Sequence, residues 1–100
     1  MMKFNELKEI YSKRLEQYVP VVARVHGESH PEFYEVQKVY NKLNEKIKSS
    51  ELEDLSLEKE FKELRKITNN YDIPDDTCET YASVYNMLSE LDNAFKSEAV

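Results

Sequence analysis

Apolar residues recur along the start of this chain at the spacing of one helix face. Most of them lie three or four positions apart, which places them on one side of an α-helix. The set comprises Phe4, Leu7, Ile10, Tyr11, Leu15, Tyr18, Val22 and Val25. Pro20 lies inside this pattern and cannot donate a backbone hydrogen bond, so we expect a kink there or a break near Tyr18 and Val19.

Three further apolar sets follow at helical spacing. The second set comprises Phe33, Val36, Tyr40, Leu43 and Ile47 and ends near Lys48. The third comprises Leu57, Phe61, Leu64, Ile67 and Tyr71, and the fourth comprises Cys78, Tyr81, Tyr85, Leu88, Leu91 and Phe95. No segment has the period-two alternation of a β-strand. The sequence therefore predicts an all-α fold, an antiparallel four-helix bundle formed by a single domain over residues 1–100.

The connections carry signals for the ends of these helices. Ser50 and Asp76 each precede a glutamate by three residues, which is the spacing of a capping box at a helix start. They predict where the third and fourth helices begin. The predicted breaks between helices lie near residues 26–31, 49–50 and 73–76.

The first break holds both histidines and the only glycine of the chain. Gly27 can take the left-handed conformation that ends a helix, and Pro31 suits the first turn of the next one. Because these two residues interrupt the helix, His26 and His30 are not expected to share a helix face. We expect His26 to interact with local carbonyls or the helix dipole, and His30 to cap the next helix or lie at the surface.

Charge and hydropathy exclude some classes of partner. The net charge of −6 disfavours binding to nucleic-acid phosphates or to an anionic membrane. No apolar run approaches the roughly 18 residues of a membrane span, and the N-terminus lacks the apolar core of a signal peptide. The single cysteine, Cys78, cannot form an internal disulfide, which fits a reducing compartment. The expected localisation is therefore cytoplasmic.

Candidate chemistry is sparse. Cys78 is expected to be a small buried residue, with a redox thiol as the alternative because it falls in the first turn of a helix. A run of acids is expected to form a solvated helix face: Glu51, Glu53, Asp54, Glu58, Glu60 and Glu63. The chain has no glycine-rich phosphate loop, no cysteine pair for zinc and no histidine that the sequence positions beside a nucleophile.

Three stretches resemble the motifs of one family: residues 22–33, residues 64–71 with Pro74, and residues 78–91. The family is that of the iron–sulphur cluster repair di-iron proteins. Residues 22–33 are similar to the family's VARVHGxxHPEL, residues 64–71 with Pro74 to LRxLTNxYxPP, and residues 78–91 to CNTYxxLYxxLxEL. They occur in the same order and span most of the chain. The resemblance implies a hemerythrin-like bundle, in which the family binds two irons through histidines and bridging carboxylates.

The resemblance also implies that most of the metal ligands are missing. His26 matches one family ligand and is the only retained candidate. Other family histidines correspond to positions near Asn5, Asp54 and Glu98, and the second-helix HxxxE arrangement has no counterpart around residues 49–54. We therefore expect no catalytic residue, no bound metal and no cofactor.

Two hypotheses about function follow. The first is a short, degenerate family relative that acts as a non-catalytic helical interaction protein, as a homodimer or with a full-length family member. The alternative is an iron-binding cluster repair or stress-sensing protein that completes its metal site with another chain.

Overall fold

Four helices make up the fold. The computed structural model describes residues 3–49 and 57–98, and these residues contain no strand. The helices are α1 (Phe4–His26), α2 (Glu32–Ser49), α3 (Glu58–Thr68) and α4 (Glu79–Glu98). The prediction of an all-α fold with one helix for each apolar set is confirmed. No helix in the described ranges is long and apolar enough to cross a membrane.

The helices pack side by side around a shared core. Helix α1 packs against α2 and α4, and α2 packs against α3. Phe4, at the start of α1, meets Phe95, near the end of α4, at 5.6 Å between ring centroids. His26, at the end of α1, meets Tyr81, near the start of α4, at 5.5 Å. The radius of gyration is 13.0 Å, and a value of about 13 Å is typical of a compact domain of this length.

The core is apolar and takes side chains from all four helices. The largest fully buried side chains are Leu15, Val19, Val22, Phe33, Val36, Leu43, Leu57, Phe61, Leu64, Tyr81, Tyr85 and Leu88. Two members of the first apolar set, Ile10 and Val25, are instead exposed. The packed face of α1 is therefore narrower than its apolar pattern, and these two side chains lie on its solvent side.

Pro20 does not interrupt α1. The helix runs through it to His26, so the predicted break near Tyr18 and Val19 is wrong. Pro20 is exposed, whereas Val19 and Val22 are buried. A proline on the solvent side leaves the unpaired carbonyl one turn earlier accessible to water, which lowers the cost of the missing hydrogen bond.

Gly27 is not left-handed. Its φ and ψ are −57° and −35°, and its N–H donates to the carbonyl of Ala23, so it extends the last turn of α1. The prediction of a left-handed stop is wrong. A Cβ at this position would overlap the carbonyl oxygen of Ala23 and the ring of Tyr34. Glycine is therefore needed here for the close approach of Tyr34 and not for its backbone freedom.

The left-handed conformation occurs at the end of α3 instead. Asn69, Asn70 and Tyr71 have φ values of 54°, 62° and 63°. Asparagine tolerates this region, whereas tyrosine adopts it rarely. Thr68 holds the turn, since its Oγ1 accepts from the Tyr71 N–H at 2.8 Å and donates to the carbonyl of Leu64 at 2.7 Å. Tyr71 thus follows α3, although its spacing predicted a place on the helix.

The two predicted capping boxes have different outcomes. Ser50 and Glu53 lie outside the described residues, and α3 as described begins at Glu58. Helix α4 begins at Glu79, which is three residues after Asp76. The prediction that Asp76 caps α4 is therefore wrong. Its carboxylate faces His30 instead, and this contact belongs to the corner described next.

Candidate functional site

The histidine–cysteine corner is the part of the described structure where reactive side chains meet. It comprises His26, His30 and Cys78; both imidazoles contact the ring of Tyr81, and Cys78 contacts His26. His26 is the last residue of α1, and Cys78 directly precedes α4. His26 Nε2 lies 3.2 Å from Cys78 Sγ. The packing of α1 against α4 therefore brings an imidazole and a thiol into contact across 52 residues of sequence.

The exposure of Cys78 and its contact with a histidine both differ from what the sequence predicted. It is exposed, so the prediction of a buried cysteine is wrong. The physical reason is that Cys78 lies before the first turn of α4, whose packed face begins at Tyr81. The expectation that no histidine stands beside a nucleophile is also wrong, because His26 contacts the Cys78 sulphur.

Both imidazoles converge on Tyr81. Its side chain is fully buried, and the ring centroids of His26 and His30 lie 5.5 and 5.7 Å from its own. Both rings meet Tyr81 edge to face, a favourable geometry for aromatic pairs. The turn between the histidines closes through a hydrogen bond from the His30 N–H to the His26 carbonyl, at 2.8 Å. The two histidines thus share a neighbour without sharing a helix.

His30 links three segments of the chain. Its Nδ1 lies 3.2 Å from Glu32 Oε1, and its Nε2 lies 2.9 Å from Asp76 Oδ1, although the second contact lacks the alignment of a hydrogen bond. The side chain is only 14% exposed, so the prediction of a surface role is wrong. Each ring nitrogen faces a carboxylate, and only the protonated imidazole can present a proton to both.

The interior behind the corner is aromatic. Phe33 lies 5.1 Å from Tyr81 and 6.3 Å from Tyr85 between ring centroids, and its ring is stacked on that of Tyr85. The hydroxyls of Tyr81 and Tyr85 lie 3.0 Å apart and share a hydrogen bond. All three side chains are fully buried, so this region is a packed core with its polar atoms paired.

The buried tyrosines predict loss of stability in alkali. Burial raises the pKa of Tyr40, Tyr81 and Tyr85 above the usual 10.0, and burial together with hydrogen bonding to Asp92 raises that of Tyr71. Because the folded-state pKa exceeds the unfolded one, this stabilisation is complete below about pH 10 and is lost as the pH rises towards the folded value. We expect tyrosinate absorbance from these residues to appear together with loss of helical circular dichroism. Full ionisation of all the tyrosines at unchanged helicity would contradict this.

Two buried carboxylates were missed by the sequence pattern. Asp92 is 2% exposed, accepts from Arg65 Nη1 at 2.7 Å and accepts from the Tyr71 hydroxyl at 2.8 Å. Glu60 is also buried and pairs with Lys46 at 3.0 Å.

The acidic run containing Glu60 has a mixed outcome. Glu58 is exposed as predicted and Glu63 is partly exposed, but Glu60 faces the core, so the prediction of a solvated face is wrong at that position. The earlier acids of the run, Glu51, Glu53 and Asp54, lie outside the described residues.

The positions compared with family ligands lie only partly within the described residues. Among the described residues, no group of three or more histidine, cysteine, aspartate or glutamate side chains is arranged to hold a metal ion. Asn5 is exposed at the start of α1, Glu98 is the last residue of α4, and Asp54 lies outside the described ranges. The absence of a di-iron centre stays a prediction that elemental analysis must test.

Comparison with known proteins finds no relative of this chain. No protein-family model, curated protein or solved structure matches the chain.

Proposed function

We propose that this chain is a short, degenerate relative of the iron–sulphur cluster repair di-iron proteins. In this proposal the helices form an antiparallel, hemerythrin-like bundle, and the protein acts in the cytoplasm as a non-catalytic helical interaction protein. The three sequence motifs support the family relationship. The contacts of Phe4 with Phe95 and of His26 with Tyr81 support the antiparallel arrangement of α1 and α4, because each joins the start of one helix to the end of the other.

The observation that carries the proposal is the filling of the interior between α2 and α4. Phe33, Tyr81, Tyr85 and Leu88 are buried there, and the two tyrosine hydroxyls pair with each other. A di-iron pair needs inward-facing histidines and carboxylates from several helices. A metal ion buried among these apolar rings would lose its bound water without gaining enough protein ligands. Burying a charge in this way has a high free-energy cost. An interior of this kind suits a bundle that works through its surface.

The surface offers apolar side chains for such a role. The exposed large hydrophobic residues of the described ranges are Ile10, Val21 and Val25 on α1 and Tyr34 on α2. Val25 is 63% exposed and Tyr34 is 49% exposed, and both flank the turn between the two helices. Grouped exposed apolar residues mark interaction surfaces more often than single ones do. The proposed partners are a second copy of the chain or a full-length family member.

Light scattering tests the interaction role. We expect the mass in solution to rise above that of one chain as the protein concentration increases, because association would bury these apolar side chains. Replacing Val25 with aspartate should reduce this rise, whereas the matched change of exposed Asn86 to aspartate should not. A mass of one chain at every concentration would count against self-association.

A second function is favoured by two accessible side chains of the histidine–cysteine corner that could bind a metal. His26 and Cys78 lie in contact at the surface, so a partner chain could add further ligands to them. This observation supports an iron-binding repair or stress-sensing protein whose site is completed by another chain. Iron that is retained only after mixing with a full-length relative would favour this second function.

A further inference from the structure

His30 joins the turn between α1 and α2 to the segment that precedes α4. Its Nδ1 lies 3.2 Å from Glu32 Oε1 in the first turn of α2, and its Nε2 lies 2.9 Å from Asp76 Oδ1, three residues before α4 begins. Only 14% of the side chain is exposed, and Nε2 is shielded from water. The carboxylate of Asp76 is therefore the polar group that this nitrogen meets.

The charge on the His30 ring decides whether both contacts are favourable. The neutral imidazole carries one N–H, so its other nitrogen presents a lone pair to a carboxylate. At 2.9 or 3.2 Å, such a contact between two electron-rich atoms is repulsive. The protonated ring has an N–H on each nitrogen and attracts both carboxylates. Loss of one proton therefore turns one of the two attractions into a repulsion.

Asp76 is the carboxylate that can move away from His30. Its side chain is 73% exposed, whereas that of Glu32 is 39% exposed and belongs to the first turn of a long helix. Asp76 lies in a short turn that is closed by a hydrogen bond from the Thr77 hydroxyl to the Pro74 carbonyl, at 2.8 Å. When Asp76 turns towards water, this short turn loses its contact with His30.

The other titratable groups around His30 come from α1 and α4. The carbonyl of His26 accepts the His30 N–H, and its ring lies against Tyr81 on α4, as the His30 ring does. Burial raises the pKa of Tyr81, so its phenol stays neutral in the range where histidines change charge. The ionised groups that the ring nitrogens of His30 meet are thus Glu32 and Asp76, and both are negative.

We propose that His30 is a pH-dependent clasp, which holds the turn around Asp76 against the start of α2 when protonated and releases it when neutral. Histidine changes charge between about pH 5 and 8, and the carboxylates stay ionised above about pH 4. The clasp is therefore closed at mildly acidic pH and opens as the pH rises. This inference goes beyond the proposed interaction function and does not depend on it.

Amide hydrogen exchange of the full chain tests the clasp. The Ala82 N–H donates to the Cys78 carbonyl at 3.1 Å, so its protection reports whether the start of α4 stays closed. After correction for the intrinsic exchange rate at each pH, we expect this protection to fall at least about threefold between about pH 5.5 and 8. The change is modest because water partly screens the exposed Asp76.

Variants assign the effect to this pair of side chains. His30→Gln and Asp76→Asn should each abolish the pH dependence at Ala82, because each removes one charge of the pair. Asp75→Asn makes the same chemical change at the exposed neighbouring position and should retain it. Because a variant could also disturb the fold, the wild-type chain carries an independent readout. In nuclear magnetic resonance, the carboxyl signal of Asp76 should shift with the same pH midpoint as the ring signals of His30.

Three results would overturn the clasp. The first is protection of Ala82 in the wild type that does not change over this pH range. The second is an Asp76 carboxyl signal that does not follow the titration of His30. The third is a loss of pH dependence in Asp75→Asn as large as that in Asp76→Asn, which would indicate a general effect of the acidic surface.

Discussion

Replacing Tyr81 with alanine is expected to lower the free energy of unfolding by about 4 kcal/mol, the range found for large aromatic side chains removed from a core. Tyr81 is fully buried and contacts the rings of His26, His30, Phe33 and Tyr85. Its removal leaves a cavity at the point where α1, α2 and α4 meet. Urea unfolding followed by circular dichroism measures the change.

Two companion variants separate the contributions of this side chain. Tyr81→Phe keeps the ring and removes only the hydroxyl that bonds Tyr85, so it should cost about 1 kcal/mol. Tyr34→Ala removes the same kind of side chain from a half-exposed position and should cost clearly less than Tyr81→Ala. Equal losses for Tyr81→Ala and Tyr34→Ala would show that the corner is not part of the core.

Asp92→Asn is expected to cost about 3 kcal/mol, near the lower end of the range for breaking a buried ion pair. The carboxylate of Asp92 receives hydrogen bonds from Arg65 and from the Tyr71 hydroxyl. Asparagine has similar volume but no charge, and its amide nitrogen cannot accept the second hydrogen bond. The Arg65 side chain is 24% exposed, so water can partly solvate its charge after the substitution. The loss of unfolding free energy should therefore stay below the upper end of the range for buried ion pairs.

The matched control for Asp92 is Asp72, which is exposed in the turn after α3. Asp72→Asn makes the same chemical change and should alter stability by less than about 0.5 kcal/mol. A double-mutant cycle between Asp92→Asn and Arg65→Met should give a coupling of at least about 1 kcal/mol. If Asp92→Asn lowers the free energy of unfolding no more than Asp72→Asn does, a structural role for this ion pair is contradicted.

The helices could be predicted from sequence because their signal is repeated many times. Each apolar set contains five or more residues at helical spacing, so the set survives local exceptions such as the exposed Val25. Helix α2 illustrates this, since its bounds of Glu32 and Ser49 lie close to the ends of its apolar set. The predicted break near residues 26–31 is also confirmed, whereas two details that rested on single residues were wrong: the left-handed conformation of Gly27 and the cap at Asp76.

The candidate site could not be predicted because it depends on tertiary contacts. Cys78 and His26 are 52 residues apart, and nothing in their local sequence indicates that they touch. Likewise, Asp92 differs from a surface acid only through Arg65 and Tyr71, which come from a different helix and a turn. The sequence held one signal that Asp92 is buried. Asp92 directly follows Leu91, which belongs to the fourth apolar set, and that set borders the core.

The iron content of the purified chain tests the central claim most directly, namely that the aromatic interior replaces a metal site. The protein should be purified without oxygen from iron-supplemented cells and measured by elemental analysis beside His26→Ala. We predict iron far below one atom per chain in both proteins, with a modest change in stability for His26→Ala. About two irons per chain in the wild type, lost on His26→Ala, would contradict the account and restore a di-iron function.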